Sequence, residues 1–246
     1  MSEPFIEVSN LTIGWGPDAL LLEHANFTVD EGEIFAILGG SGSGKSTLLR
    51  YLIGLERPLA GEVTIKGVGH PNLEVGRPPF GVMFQGGALF GSMTLLENVV
   101  LPLTEWVDVP VDAATAMARA KLKLVGLEGS GDKLPSELSG GMKKRGAIAR
   151  AMALEPPLLF LDEPSAGLDP VTSAELDDLL LTLKSVVGVT LVIVSHELAS
   201  IFKIADRCIL LDKETKSIIA AGPPSQLKES DDPRVSDFFN RRPRAA

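Results

Sequence analysis

One cysteine in 246 residues, Cys208, rules out a disulfide within the chain and suits a reducing compartment. It lies in the apolar run Cys208-Ile209-Leu210-Leu211, where a small buried hydrophobe is the ordinary reading. No apolar run approaches the roughly 20 residues of a membrane span, so work at a membrane is expected to go through a partner. Met1-Ser2-Glu3-Pro4 has neither a basic n-region nor an apolar h-region, and no signal peptide is expected. An excess of positive charge is also missing. With 23 Lys and Arg against 32 Asp and Glu the net charge is −9, the wrong sign for gripping a nucleic-acid backbone. Internal repeats and low-complexity segments are absent. What the chain has is a 45% hydrophobic share, ample for a packed core.

The apolar patterning divides the chain. Phe5-Ile6-Glu7-Val8, Leu11-Thr12-Ile13 and Asn26-Phe27-Thr28-Val29 alternate, which predicts short antiparallel strands. Glu33 to Leu38, Leu158 to Leu161 and Thr190 to Val194 are nearly unbroken apolar runs, as in strands buried on both faces of a parallel sheet. Glu62 to Ile65 reads as a further short strand, and a hairpin is expected over 208–221. Helices are expected from about Ser46 to Gly54 and from Asp169, as N-cap before Pro170, to Gly188. The fold class is therefore α/β. An α/β core is expected over about 1–91 and 156–222, an inserted Ala-rich helical subdomain over about 92–155, and a polar tail over 223–246.

Gly39-Gly40-Ser41-Gly42-Ser43-Gly44-Lys45-Ser46-Thr47 follows a strand and opens a helix, the context that makes a P-loop match meaningful. Gly39, Gly42 and Gly44 let the backbone approach phosphates without a Cβ in the way. The helix aims its positive end at them. Lys45 is expected on the β- and γ-phosphates, the Ser46 hydroxyl on Mg²⁺ and Thr47 on the α-phosphate. At the end of the run Leu158 to Leu161, Asp162 is placed to reach Mg²⁺ through water, and Glu163 to polarise the attacking water. Gln85, after Val82-Met83-Phe84, offers an amide to water and Mg²⁺ without adding charge. His196 follows the run 190–194 and fits a γ-phosphate contact, although a lone histidine is more often packed or at the surface. Asp169 reads as a helix cap and as a nucleotide contact together.

Ser139-Gly140-Gly141 opens a helix expected to run to about Glu155, before Pro156-Pro157. A second anion-binding helix end beside a complete phosphate loop suggests a second nucleotide, met by head-to-tail pairing of two copies. Trp15 could stack on adenine; taken alone it reads as core or interface packing. Lys143-Lys144-Arg145 could face anionic headgroups, and a solvated helix face explains it as well. Leu89, Phe90, Leu95, Leu96 and Trp106 either line a socket for a partner helix or belong to the core.

The ordered set of the P-loop, Gln85, Leu138 to Met142, Leu158 to Pro164, Ser165 to Asp169 and His196 resembles the ABC ATPase domain over nearly the whole chain. The resemblance implies a P-loop NTPase core with an antiparallel β subdomain and an inserted helical subdomain. It also implies ATP and Mg²⁺ as cofactors, and hydrolysis in a homodimer that sandwiches ATP. Trp15 stands where the family carries its aromatic adenine platform, and Glu163 keeps the carboxylate that hydrolysis-dead members lack. Most family signatures have Gln where this chain has Met142. Phe84 to Phe90, Pro135 to Met142 and Asp232-Pro233-Arg234-Val235 resemble the Mla/Mce branch, which powers phospholipid and related lipid traffic across bacterial envelopes. That branch implies integral-membrane permease partners, an Mce lipid-binding protein, a small STAS-domain protein, and a place at the cytoplasmic face of the inner membrane. The short tail, ending Arg241-Arg242-Pro243-Arg244, leaves tail-mediated contacts in question. An ATPase serving another solute is the alternative. A soluble ABC ATPase acting on ribosomes or DNA ranks below both, because the chain carries a single ATPase domain, no coiled-coil insert and an acidic charge.

Overall fold

The computed structural model describes residues 3–242 except Pro17 and Val75, so Met1-Ser2 and Pro243-Arg244 of the sequence arguments lie outside the described residues. The chain divides into two compact units, Met1–Pro78 with Thr190–Ala246, and Pro79–Val189.

In the first unit β1 (Ile6–Gly14) pairs antiparallel with β2 (Leu20–Val29). β1 buries Ile6 and Val8 and then, past a register shift, Leu11 and Ile13, as a strand with one face on a core. β3 (Ile34–Gly39) is buried along its whole length. Phe35 on β3 stacks on Phe27 of β2 with ring centroids 5.6 Å apart. β3 runs into α1 (Lys45–Leu52), which packs against it. Gly54, at φ 74°, ends that helical turn: its N–H reaches the Tyr51 carbonyl, and the Leu55 N–H reaches that of Arg50. A side chain at Gly54 would run into the Pro71 carbonyl, so glycine is required there twice over. β4 (Ala60–Ile65) returns to β1, giving the order β2-β1-β4.

The second unit opens with β5 (Gly81–Met83), a strand too short for its periodicity to be read in sequence. It pairs parallel with β6 (Leu158–Asp162), Met83 opposite Leu161. Between them lie α2 (Leu95–Trp106), α3 (Val111–Leu124) and α4 (Gly140–Ala151), which pack on one another. α2 begins in a capping box, in which Thr94 accepts from the Glu97 N–H and Glu97 accepts from the Thr94 N–H. α4 ends at Ala151, short of the expected Glu155. Glu155 is left-handed at φ 52°, and the residue before a proline is pushed out of the helical region. α5 (Pro170–Thr182) starts at its Asp169 cap and widens into a π turn over Leu183–Val187, which left-handed Gly188 closes.

Back in the first unit, β7 (Thr190–Val194) and β8 (Arg207–Asp212) flank β3 in parallel, with α6 (Leu198–Ile204) between them in the chain. β9 (Ser217–Gly222) folds back on β8 as the expected hairpin. The segment expected as a polar tail instead carries α7 (Pro224–Leu227) and α8 (Pro233–Phe239). Val235 and Phe239 are buried against Leu198, Ile201, Cys208 and Leu210. Val235, Phe238 and Phe239 fall at i, i+3 and i+4, but a helix of 7 residues is too short a run for that period to stand out among charged neighbours. No helix among the described residues is long and apolar enough to cross a membrane.

Candidate functional site

The phosphate loop leaves β3 at Gly39 and turns through Gly42 (φ 76°) and Gly44 (φ 88°), both in the left-handed region that favours glycine. Gly44 caps α1 without any side-chain bond, so the first turn of the helix is presented by backbone alone. Lys45 Nζ donates to the Gly39 carbonyl at 2.9 Å and the Gly40 carbonyl at 3.0 Å, which draws the ammonium across the mouth of the loop. A Cβ at Gly39 would collide with Ser43 Oγ and the Leu211 carbonyl. Ser43 Oγ itself is buried without a hydrogen-bond partner in the protein. A glycine-lined loop with a held cation, a helix N-terminus and an orphaned hydroxyl fits a nucleotide's phosphates. Ser46 is exposed and Thr47 half-buried at the same helix start, while Gly40 and Ser41 are exposed in the loop.

In the same unit, β3 and β7 pair with Ile37 opposite Val194. Two residues further on, the strands reach Gly39 and His196 at one sheet edge, the end where open α/β sheets bind ligands. His196 is exposed there, its Nε2 3.5 Å from Glu197 Oε1. Trp15 is 64% exposed, which removes the core-packing reading.

In the second unit, in-register β5 and β6 deliver Gln85 and Glu163 side by side, each two residues past the Met83–Leu161 pair. Asp162 and Glu163 are buried, and Glu163 adopts a left-handed backbone, φ 50°, unusual for a residue with a side chain. Lys144 of α4 lies against them. It is 8% exposed, so neither a solvated face nor a headgroup contact describes it; that reading of Lys144 is corrected. Its ammonium donates to the carbonyls of Gln85 (2.5 Å) and Glu163 (2.9 Å). Burial pulls the Lys144 pKa below its ordinary value, opposed by the negative charges of Glu163 and Asp162. Further along α4, Arg150 donates to the carbonyls of Gly87 and Ala88.

Ser139 caps α4 by accepting from the Met142 N–H at 3.3 Å, and Gly140 and Gly141 form its first turn. A Cβ at Gly141 would strike the Thr172 methyl, so the glycine sets how closely α4 meets α5. Asp169 takes the cap role: its Oδ1 accepts from the N–H groups of Val171 and Thr172 at 3.1 Å, and its Oδ2 from the Thr172 hydroxyl at 2.6 Å. The Thr172 hydroxyl, then the backbone donors, hold the Asp169 carboxyl below the usual carboxylate range. Of the expected socket residues Leu95 is core, Leu89 and Leu96 are half-buried, and Phe90 and Trp106 are exposed.

Two site-building residues escaped the sequence reading: Lys144 and Arg150. For Lys144 a signal was present. It lies three residues after Gly141 and four before Ile148, on the stripe of α4 that is buried.

The sequence pattern of the family described as "ABC transporter" matches residues 22–166. The Escherichia coli K12 protein "Intermembrane phospholipid transport system ATP-binding protein MlaF" is 42% identical over 226 residues, covering 89% of this chain and 83% of that one. The Mycobacterium tuberculosis H37Rv protein "Probable ribonucleotide transport ATP-binding protein mkl" is 39% identical, covering 96% of this chain and 67% of that one. Among solved structures, a dimeric ATP-binding cassette in a post-hydrolysis state with ADP and Pi superposes with a TM-score of 0.78. It is 31% identical, and the match covers 89% of this chain and 98% of that one. With a phosphate loop of this geometry and relatives at these identities, the chain belongs to the ABC transporter family, as an ATP-binding subunit with the ABC ATPase fold that hydrolyses ATP to drive transport.

Proposed function

We propose that this ATPase energises phospholipid or related lipid transport in a bacterial envelope, as a homodimer with each ATP enclosed by both copies. The observation that carries the chemistry is Lys45, held over the loop by the Gly39 and Gly40 carbonyls, where it can be handed to the β- and γ-phosphates. In this reading the backbone of Gly39 to Gly44, with Ser41 and Ser43, wraps the phosphates and Thr47 meets the α-phosphate. Trp15 stacks on adenine. Ser46, Gln85 and Asp162 offer hydroxyl, amide and carboxylate oxygens, the hard donors that suit Mg²⁺. When bound, Mg²⁺ neutralises charge on the β- and γ-phosphates. Glu163 accepts the proton of the attacking water, and His196 contacts the γ-phosphate. Ser139, Gly140 and Gly141 serve the ATP held by the other copy, and Asp169 is a further nucleotide contact. The helical subdomain, 92–155, would meet permease subunits through exposed Trp106, with exposed Phe90 just before it in the chain. The protein then sits at the cytoplasmic face of the inner membrane, with an Mce protein and a small STAS-domain protein as further partners.

Lipid as cargo rests on similarity to the Escherichia coli phospholipid-transport protein. A second cargo reading, another solute, is favoured by the mycobacterial relative whose name specifies ribonucleotide transport. The test is a mild-detergent pull-down of tagged Glu163→Gln protein with ATP and Mg²⁺, with bound proteins and lipids identified by mass spectrometry. A multi-span permease with an Mce-type protein and phospholipid is the expected result. A different permease without lipid overturns the cargo.

A further inference from the structure

On the buried stripe of α4, the residue between Gly141 and Ile148 is a lysine. A buried ammonium costs free energy unless it is paired and hydrogen-bonded, so the position of Lys144 needs a reason. Its two acceptors supply one. β5 and β6 are paired through Met83 and Leu161, and the carbonyls of Gln85 and Glu163 lie two residues beyond, where the ladder has ended. Lys144 Nζ takes both, at 2.5 and 2.9 Å, and the Glu163 carbonyl also accepts the Ala166 N–H at 3.3 Å. The Glu163 backbone is left-handed, a conformation that persists only where surroundings over-determine it. Lys144 is one of those surroundings. It holds the carbonyl that follows the strained torsion, and its charge lies beside the carboxylates of Asp162 and Glu163.

We propose that Lys144 is a positioning residue for ATP hydrolysis: by clamping the carbonyls of Gln85 and Glu163 it makes the two side chains one mechanical unit. A displacement of the Gln85 segment is then passed to Glu163, and the carboxylate keeps its aim during turnover. This rests on the roles of Gln85 and Glu163 given above. Lys144 itself touches neither water nor phosphate in this account. Because the bridge starts on the helix that Ser139 opens, it also ties the signature to the hydrolytic acid of its own chain.

The test is steady-state ATPase activity of the full chain, with whatever subunits co-purify, alongside equilibrium binding of a fluorescent ATP analogue. Lys144→Met keeps the stem and removes the donors. It is expected to lower kcat by about tenfold or more, because small misplacements of reacting groups are costly, with KM and analogue affinity within about threefold. Lys144→Arg, which restores charge and donors, is expected to recover kcat to within about threefold of the parent. Turnover of Lys144→Met within about twofold of the parent overturns the proposal. So does a loss of kcat and affinity together in proportion to the folded fraction, since that marks a core staple only. If Lys144→Met does not fold, Lys144→Leu, shorter and without a donor, is read by the same split: reduced kcat at unchanged KM supports the clamp and parental kcat overturns it. Glu163→Gln and Gln85→Ala are run in parallel. If both turn over normally, the reading of the site fails and the clamp with it. If both stall and the Lys144 variants do not, the clamp alone fails.

Discussion

Asn98 holds Phe90 by both of its backbone groups: its Oδ1 accepts from the Phe90 N–H at 2.7 Å and its Nδ2 donates to the Phe90 carbonyl at 3.1 Å. The same amide donates to the carbonyls of Met93 and Thr94, at 3.2 and 2.9 Å. Asn98 is fully buried while Phe90 is half-exposed, so a core amide sets the position of a surface ring. The Arg150 guanidinium, 5.9 Å from the centre of that ring, supports it from below. Asn98→Leu would strand the Phe90 N–H in an apolar setting. The expected cost is about 2–4 kcal/mol, since a buried donor left unpaired loses its full desolvation penalty. Urea unfolding should show a lower midpoint with an unchanged slope.

Phe239 tests whether the C-terminal segment is structural. It is buried beside Val235 and edge-packed on Phe202, ring centroids 6.0 Å apart. Phe239→Ala is expected to cost about 3–5 kcal/mol, as for other large-to-small core changes. Thermal unfolding and limited proteolysis of the last 20 or so residues would check it, because a solvated tail would leave the midpoint unmoved.

Cys208 should be inert in the folded protein. It is fully buried, its Sγ 3.4 Å from the Gly222 carbonyl, and burial pushes its thiol from the ordinary value up to about 12. The unfolded chain loses that proton near pH 8.5 and the folded one does not, so folding forfeits stability as pH rises between these values. The stability advantage of the parent over Cys208→Ala should therefore be full below about pH 8 and shrink toward pH 10. Iodoacetamide should label Cys208 only under denaturing conditions.

Lys45→Ala removes the loop's cation together with its bonds to the Gly39 and Gly40 carbonyls. ATP affinity is expected to fall at least tenfold, a loss of about 1.4 kcal/mol or more. Lys45 is half-buried on the loop rather than in the core, so the thermal midpoint should move little by comparison. Equilibrium titration with a fluorescent ATP analogue separates the two effects, and unchanged affinity would falsify the role given to this lysine.

Much of the scaffold could be read in the chain because its determinants are local. A run such as Ile34 to Leu38 announces a strand buried on both faces. Asp169 before Pro170 announces a helix start, and glycines at the left-handed turns announce a loop open to phosphates. In each case the pattern and its consequence lie within a few residues of one another.

The sequence by itself therefore determined the strands other than β5, the phosphate loop, the acid pair at the end of β6, the Asp169 cap and the family. Tertiary structure alone decided which carbonyls the buried one of three adjacent basic residues meets, which of five apolar residues near the second unit's α2 face water, and that the polar tail carries a docked helix. The partners explain why. Lys144 reaches the Gln85 carbonyl across 59 positions and the Glu163 carbonyl across 19, while Phe239 finds its core near Cys208 and Leu198. A residue's propensity is written in its neighbours along the chain. Its burial depends on which distant backbone groups run short of hydrogen bonds when the strands end, and that appears only once the strands are paired.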